Sequence, residues 1–304
     1  MGINTLDIFD KSDRPLVLCL GFFDSLHNGH KALIDKAIDV CGGIGAYPAM
    51  FTFDNNPASF LGRDSKLVLT YSERLIRAQE LGVDTVIRAH YNEQLMAMPA
   101  REFIDVLIKH FNIKGIVAGS DYTFGAGGKG NVGLLQDYLR DSNIPLYIVN
   151  LTLVDGRKIA SRDIRSYLRS GDIERVNAML PLEYFITGTV IHGRHQGRLL
   201  GFPTANFNTS ADKELIADGV YCSIVDVNGK LYKGITNVGT HPTFDDFTNN
   251  VETYIIGYQG DLYGSTIAVR FVKRIRGISK FTSKEALIAQ LNSDVACAIE
   301  SVIL

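Results

Sequence analysis

Cysteine is scarce in this sequence, and none of the four cysteines stands in a CxxC pair. Metal sites and disulfide frameworks built on cysteine usually show closely spaced or regularly spaced residues, so neither is expected here. Cys19 lies within an apolar run and is expected to pack as a small hydrophobic side chain.

Targeting features are also absent. The N-terminal stretch MGINTLDIFDKSDR lacks the basic region followed by an apolar stretch that a signal peptide needs. No uninterrupted apolar run approaches the roughly 18 residues of a membrane span. Together with the cysteine usage, these absences predict a cytoplasmic protein without a membrane partner.

An excess of positive charge is missing as well. Lys plus Arg number 31 and Asp plus Glu number 33, which gives a formal net charge of −2. General nucleic-acid binders usually carry a strong positive excess, so no nucleic-acid partner is expected. Hydrophobic residues make up 46% of the 304 residues, which is typical of a globular protein. At roughly 150 residues per domain, the length predicts two domains.

The first half of the chain alternates apolar runs with helical patterns. Residues 16–20 form a continuous apolar run, which is typical of a strand buried on both faces. A helical pattern follows over residues 28–40, and Thr70 to Glu73 form a capping box that opens another helix. Further strands are predicted at 49–53, 84–89, 116–118 and 146–149. Strands that alternate with helices predict a doubly wound parallel sheet.

The second half follows a different pattern from about residue 183. It contains turn-separated, β-rich runs at 185–191, 220–227, 231–238, 251–258 and 266–275. Asn228-Gly229 between two of these runs is typical of a type I′ hairpin. A capping box at 282–285 precedes a final helix. This half is predicted to be a small antiparallel barrel or sheet with a C-terminal helix, and the domains are predicted at 1–182 and 183–304.

A first candidate site follows the predicted strand at residues 16–20. The sequence GFFDSLHNGH begins at Gly21, at the end of a strand where open parallel sheets bind ligands. His27 and His30 are three residues apart at a helix start, so they can share one face. A helix N-terminus with two imidazoles can hold phosphate oxygens and stabilise developing charge. One alternative is that the two histidines are ordinary surface residues. Another is a metal site, but no further ligand stands at helical spacing from them.

A second candidate site lies in the β-rich half. Gly193, Gly197 and Gly201 are four residues apart, and a pliable loop of this kind can wrap phosphates with its backbone N–H groups. The spacing is not a Walker motif, because GK(S/T) is absent. Thr204 and Asn206 place a hydroxyl and an amide oxygen on one side of an extended segment, which suits Mg²⁺. Taken alone, the glycines fit an ordinary barrel turn better.

Both sites resemble one family. GFFDSLHNGH is similar to the GxFDxxHxGH signature of nucleotidyltransferases, and more narrowly of the bacterial bifunctional riboflavin kinase/FMN adenylyltransferase (FAD synthetase) family. Residues 51–57 and 119–125 resemble that family's FxFxxxP and GxDFxFG segments. Residues 193–206 resemble the riboflavin kinase signature GxxxGxxLGFPTAN, and residues 251–254 resemble the segment that carries its catalytic glutamate. The resemblance covers nearly the whole chain.

This resemblance implies both a fold and a pair of reactions. It implies an N-terminal, Rossmann-like nucleotidyltransferase domain with a doubly wound parallel sheet, followed by a small antiparallel β-barrel riboflavin kinase domain with a C-terminal helix. The C-terminal domain would phosphorylate riboflavin to FMN with ATP, and the N-terminal domain would adenylylate FMN to FAD with a second ATP. The implied partners are these small molecules and Mg²⁺, in a monomer or weak homo-oligomer.

The resemblance also implies roles for single residues. Glu252, His27 and His30 would be catalytic. A sugar hydroxyl is a poor nucleophile at neutral pH, and Glu252 would accept its proton as the bond to phosphorus forms. Without the resemblance, an isolated glutamate in a strand is more simply an ordinary cross-strand polar residue. ATP would be bound by Gly21, Phe22, Asp24, Ser161, Arg165, Gly193, Gly197, Gly201, Thr204 and Asn206. Flavin would be bound by Phe53, Asp121 and Phe124, and Mg²⁺ by Thr204 and Asn206.

One segment departs from the family pattern. The family usually reads ISSTRIR where this chain reads IASRDIR over residues 159–165, so Ala160, Arg162 and Asp163 do not match. An acid at position 163 would repel a triphosphate unless it points away, although Arg162 could supply compensating charge. A solvated Asp163 at a helix start is an equally good explanation. A riboflavin kinase with weakened or lost adenylyltransferase activity therefore stays open, as do a flavin- or nucleotide-sensing binding protein and a nucleotidyltransferase acting on another phosphate ester.

Overall fold

The computed structural model describes residues 2–63, 65–150, 153–154, 157–192, 197, 200–240 and 249–304. These residues form two compact units, Met1–Ser161 and Arg162–Leu304. The domain boundary between residues 182 and 183 stays a prediction, because a compact unit is defined by its contacts and a domain by its ability to fold alone. In the described ranges, no helix is long and apolar enough to cross a membrane.

The first unit is built around a parallel sheet. Its strands are β1 (Asn4–Asp7), β2 (Ser12–Leu20), β3 (Tyr47–Phe53), β4 (Thr85–Ala89), β5 (Phe111–Gly119), β6 (Thr123–Phe124), β7 (Gly130–Asn131), β8 (Leu146–Val149), β9 (Leu153–Val154) and β10 (Arg157–Lys158). Its helices are α1 (Asn28–Ile44), α2 (Pro57–Phe60), α3 (Tyr71–Glu80), α4 (Glu93–Ala97), α5 (Ala100–His110) and α6 (Val132–Leu139). Six strands pair in the order β1-β4-β3-β2-β5-β8, all parallel, which confirms the predicted doubly wound sheet.

The strand order creates a cleft next to the centre of this sheet. The apolar run 16–20 lies in β2, and its side chains are at most 1% exposed because helices and neighbouring strands cover both faces. From β2 the chain moves outward to β3 and β4, and then crosses back to β5 on the other side of β2. Connections leave β2 and β5 in opposite directions, so the carboxyl ends of these two strands border a crevice suited to a ligand.

The helix starts in this unit follow from local sequence. In the predicted capping box, the Glu73 N–H donates to Thr70 Oγ1 at 3.3 Å and the Thr70 N–H donates to Glu73 Oε2 at 2.9 Å. These two bonds satisfy backbone donors that a helix start otherwise leaves unpaired. The prediction of this cap is confirmed.

The second unit is a nearly closed antiparallel barrel with helices. Its helices are α7 (Ser161–Ser170), α8 (Ile173–Met179) and α9 (Lys284–Ser301), and its strands are β11 (Phe185–Thr189), β12 (Thr204–Asn208), β13 (Gly219–Val227), β14 (Lys230–Thr240), β15 (Asn249–Ile255) and β16 (Thr266–Arg276). The strands pair in the order β11-β16-β13-β14-β15-β12. The Ile191 N–H donates to the Asn206 carbonyl at 2.7 Å and joins the two ends of the sheet, which confirms the predicted barrel.

The hairpin between β13 and β14 has the predicted turn. Asn228 has a φ of 54° and Gly229 a φ of 83°, as a type I′ turn requires at both central positions. The final helix begins one residue later than predicted, because Ser283 rather than Thr282 is its N-cap and accepts a bond from the Ala286 N–H.

Two faces of the barrel have different surroundings. Thr253 on β15 and Thr236 on β14 face the barrel interior, where both are fully buried. Glu252 and Tyr254, which alternate with Thr253, therefore project from the outer face. On that same face, α9 covers part of β13 and β14. The outer face under α9 is the place where a ligand can contact both the sheet and the helix.

Candidate active sites

The first cavity lies at the crevice between β2 and β5. It has a volume of about 380 Å³ and is lined by the ends of these strands, the turn into α1 and residues 158–161. Seven of the predicted site residues line it: Gly21, Phe22, Asp24, His27, His30, Asp121 and Ser161.

The turn from β2 into α1 is tightly constrained. Phe23 and Leu26 adopt left-handed backbone angles, with φ of 56° and 45°, although both side chains are fully buried. A Cβ at Gly21 would lie 2.8 Å from the Phe23 ring, so glycine is needed there. Asp24 helps to hold this conformation, because its carboxylate accepts a bond from the Val68 N–H at 2.9 Å.

The two histidines are stacked. Their ring centroids are 3.8 Å apart and the planes are inclined by 5°. His27 is the N-cap of α1, and its Nδ1 accepts the backbone N–H of His30 at 3.2 Å. His30 also contacts the ring of Phe23, and its Nδ1 is buried without a hydrogen-bond partner in the described part of the chain. Both imidazoles are thus fixed at the floor of the cavity.

Electrostatics keep these imidazoles neutral. Burial, reinforced by the positive charge of Lys158, lowers the pKa of His27 to about 4. Burial, together with the nearby His27 and Lys158, holds the pKa of His30 well below its usual range. Lys158 forms an ion pair with Asp121 across the cavity wall. The described lining of the cavity therefore contains one cation, Lys158, the carboxylates of Asp24 and Asp121, and two neutral imidazoles. The ammonium group and the imidazoles can contact phosphate oxygens.

The lowered pKa of His27 predicts a pH effect on stability. Between about pH 4 and 6.5 the unfolded chain binds a proton that the folded chain does not, so the free energy of unfolding falls as the pH falls through this window. From pH 7 to about pH 4.5, wild type is expected to lose about 2 kcal/mol more than His27→Asn, which retains a capping side chain. Urea unfolding of both proteins at the two pH values measures this difference, and equal losses would contradict it.

Ser161 and Arg165 belong to α7. Ser161 ends the first unit, and its Oγ lies 2.9 Å from Ser25 Oγ. Arg165 is one helical turn further and half-buried. Asp163, the residue that departs from the family pattern, lies with its Oδ1 3.6 Å from Arg162 Nε. The negative charge of Asp163 therefore lies next to the positive charge of Arg162.

The residues predicted to bind flavin do not all line the same cavity. Asp121 lines the first cavity, whereas Phe53 and Phe124 do not. Phe124 is 7% exposed and packs in the apolar core against Phe103. Phe53 lies at the end of β3, with its ring centroid 5.3 Å from that of Tyr91.

Phe60 extends this aromatic group at the end of β3. Its ring centroid lies 5.5 Å from that of Tyr91, and Phe60 is 42% exposed. Neither Phe60 nor Tyr91 lines the first cavity.

Two cavities in the described part of the second unit share Thr204. The larger one, the strand-edge cavity, measures about 540 Å³ and is lined by Thr204, Asn206 and the segment 258–263. The smaller one, the barrel–helix cavity, measures about 270 Å³ and lies between the outer face of the barrel and α9. Glu252 and Asn237 line the smaller cavity, and its apolar wall is formed by Leu200, Phe202, Val220, Ile235, Tyr254, Ile278, Phe281, Leu287 and Leu291.

Strand register places Glu252 between two amides. It pairs with Asn206 on β12 and with Asn237 on β14, so the three residues form one row across the outer face. Sequence reasoning missed the row, because it depends on pairing between distant strands.

A buried ion pair borders the same cavity. Arg276 lines the barrel–helix cavity, and its Nη2 lies 2.9 Å from Oδ2 of Asp294, a fully buried carboxylate on α9. The pair therefore joins β16 to α9 at the cavity wall. It too went unrecognised in the sequence, because the partners lie on different elements.

Thr204 and Asn206 are in direct contact. The Asn206 amide group lies 3.2 Å from Thr204 Oγ1, with Glu252 on the adjacent strand. Two neutral oxygen-bearing groups beside one carboxylate fit Mg²⁺, which binds few protein oxygens and keeps its remaining positions for water and phosphate. Of the predicted glycines, Gly197 lines the smaller cavity and Gly201 has a φ of 86°, while Gly193 lies outside the described residues.

Comparison with known proteins covers both units. A family model for FAD synthetase matches residues 9–163, and one for riboflavin kinase matches residues 180–302. A Bacillus subtilis bifunctional riboflavin kinase/FMN adenylyltransferase is 34% identical, covering 93% of this chain and 91% of the relative. The chain belongs to this bifunctional family. An Escherichia coli member is 31% identical, covering 93% of this chain and 92% of the relative.

A solved structure extends the similarity to the fold of the whole chain. A Streptococcus pneumoniae protein described as a macrolide-efflux protein superposes with a TM-score of 0.86 at 30% identity, covering 98% of this chain and 99% of that one. The two family matches correspond closely to the two compact units, and each unit has a cavity of its own.

Proposed function

We propose that the second unit transfers the γ-phosphoryl group of ATP to riboflavin, giving FMN and ADP, and that the first unit joins FMN to the AMP portion of a second ATP, giving FAD and pyrophosphate. The observation that carries this proposal is that each compact unit holds its own cavity with its own set of chemical groups. A row of Asn206, Glu252 and Asn237 borders one, and stacked histidines beside Lys158 border the other.

The kinase step needs a base at the sugar hydroxyl. Glu252 lines the barrel–helix cavity, whose apolar wall suits a flat, largely apolar ring system such as isoalloxazine. The carboxylate would accept the proton of the ribityl 5′-hydroxyl as its oxygen attacks the γ-phosphorus. ATP would occupy the adjoining strand-edge cavity, with its phosphates reaching Thr204, the residue common to both cavities.

Thr204 and Asn206 would hold Mg²⁺ with the ATP phosphates. The bound ion would neutralise phosphate charge during transfer. Replacement of Thr204 by alanine removes one oxygen donor and is expected to raise the Mg²⁺ concentration for half-maximal riboflavin phosphorylation about tenfold. Thr204→Ser keeps the oxygen and is expected to stay within about twofold of wild type. Initial rates against Mg²⁺ at fixed ATP test this, and an unchanged Mg²⁺ dependence in Thr204→Ala would contradict it.

The adenylylation step needs no base. The FMN phosphate is already ionised near neutral pH and attacks the α-phosphorus of ATP, with pyrophosphate leaving. The first unit would position the reactants and stabilise charge. His27, His30 and Ser161 line its cavity, and Lys158 adds the positive charge there. A role for Arg165 in binding ATP stays a prediction from the family resemblance.

Chromatography of the flavins tests the whole proposal. Riboflavin, ATP and Mg²⁺ are incubated with the protein, and FMN is expected first, followed by FAD. FMN that accumulates without FAD would leave only the kinase half of the proposal. Riboflavin that stays unchanged would contradict both halves. A cytoplasmic location and a monomeric or weakly oligomeric state stay predictions.

A further inference from the structure

Arg74 on α3 is a buried arginine without an ion-pair partner at contact distance in the described residues. It is 0% exposed, and its Nε and Nη2 have no hydrogen-bond partner in those ranges. Its Nη1 lies 3.2 Å from the carbonyl oxygen of Phe22 and 2.6 Å from Thr52 Oγ1. Burying a charged group is costly unless it is well paired, so stability alone gives a poor reason for an arginine here.

Both of these contacts converge on one backbone carbonyl. Thr52, fully buried at β3, donates its hydroxyl to the same Phe22 oxygen at 2.7 Å. The Arg74 guanidinium also lies 5.0 Å from the centroid of the Phe22 ring. Phe22 is therefore held by its carbonyl and by its ring, at the residue that follows Gly21 in the turn into α1.

Fixing this carbonyl fixes the N–H on the other side of the peptide. The described chain has no cis peptide bond, and in a trans peptide the C=O of Phe22 and the N–H of Phe23 point in opposite directions. Phe22 and Phe23 line the first cavity, whereas Arg74 and Thr52 do not. The Phe23 N–H therefore points away from Arg74, it has no acceptor in the described ranges, and Phe23 itself lines the cavity.

We propose that Arg74 and Thr52 are positioning residues that orient the peptide between Phe22 and Phe23, so that its N–H donates to a phosphate oxygen of the nucleotide during adenylyl transfer. The inference rests on the proposed function of the first unit. A backbone N–H held in place before the reaction stabilises developing negative charge without reorganisation. Phe23, whose N–H belongs to this peptide, has a left-handed conformation with a φ of 56°.

The test with the smallest change in packing uses Thr52. Thr52→Val removes the hydroxyl while keeping the shape, and Thr52→Ser keeps the hydroxyl. With FMN and ATP as substrates, Thr52→Val is expected to lower kcat for FAD formation about tenfold with the KM for FMN unchanged. Thr52→Ser is expected within about twofold of wild type. Riboflavin phosphorylation by the same preparations is the internal control and is expected to be unchanged.

Arg74→Met gives a second, larger perturbation. It is expected to lower kcat for FAD formation about a hundredfold, and the double variant with Thr52→Val is expected to lose no more than about twofold beyond that, since both residues act through one carbonyl.

Three results would overturn the inference while leaving the proposed function intact: Thr52→Val with wild-type kcat, equal losses in Thr52→Val and Thr52→Ser, or a loss confined to KM. Wild-type protein that makes no FAD from FMN would overturn the proposed function itself.

Discussion

Replacement of Glu252 by glutamine is expected to lower the rate of FMN formation by about 10²- to 10⁴-fold. Glutamine has the same shape but cannot accept the proton of the ribityl hydroxyl. The flanking amides of Asn206 and Asn237 lie directly across from residue 252 on the two neighbouring strands and can still hydrogen-bond to the new side chain. The measurement is riboflavin consumption at saturating ATP and Mg²⁺, followed by chromatography.

Two controls separate loss of the base from loss of the fold. FAD formation from supplied FMN is expected to continue in Glu252→Gln, because that step belongs to the other unit. Glu300→Gln makes the same chemical change at an exposed position of α9 and is expected to leave both activities unchanged. A rate of FMN formation in Glu252→Gln within about threefold of wild type would rule out Glu252 as the base.

Replacement of His30 by alanine is expected to lower the rate of FAD formation from FMN by about 10²- to 10³-fold. The imidazole is held by its stack on His27 and by the ring of Phe23, so it is in position before the nucleotide binds. Its lowered pKa makes it a neutral hydrogen-bonding group near pH 7. Its contribution should therefore be stabilisation of phosphate charge, and it should appear in kcat.

His110→Gln is the matched control for this experiment. His110 lies at the end of α5, where its Nδ1 is 2.9 Å from the carbonyl oxygen of Phe9, and it does not line the first cavity. FAD formation by this variant is expected within about twofold of wild type. Riboflavin phosphorylation should be unchanged in both variants. If His30→Ala made FAD at the wild-type rate, the catalytic assignment of the histidine pair would be wrong.

Much of the parallel sheet could be predicted because local pattern and tertiary environment agree. The apolar run 16–20 forms the central strand β2, which is buried on both faces. Strand β1 escaped prediction, because Asn4–Asp7 is short and half-exposed and becomes a strand only by pairing with β4 about eighty residues later. Strand β12 was read only as an extended segment, since its pairing with β15 across the barrel decides that it is a strand.

In the candidate sites, too, the residues related by local spacing could be predicted, and the contacts between distant elements could not. His27 and His30 could be recognised because a helix start brings residues three apart onto one face. Two ion pairs, Lys158 with Asp121 and Arg276 with Asp294, join residues that are far apart in the chain. No local sequence pattern indicates them. The hydrogen bond from Arg74 to the Phe22 carbonyl joins α3 to the turn after β2, and no local sequence pattern indicates it either. Such contacts depend on how elements are packed, and one residue of register shift would remove them.

The sequence by itself determined the two-part organisation, the alternation of strands and helices, and the identity of the motifs that carry phosphate chemistry, because these depend on spacing within a few residues. Only the tertiary structure decided which side chains face each other across strands, which histidines lose their charge on burial, and which backbone carbonyl accepts bonds from Thr52 and Arg74. Those properties arise from desolvation and from contacts between residues far apart in the chain, and no local pattern encodes them.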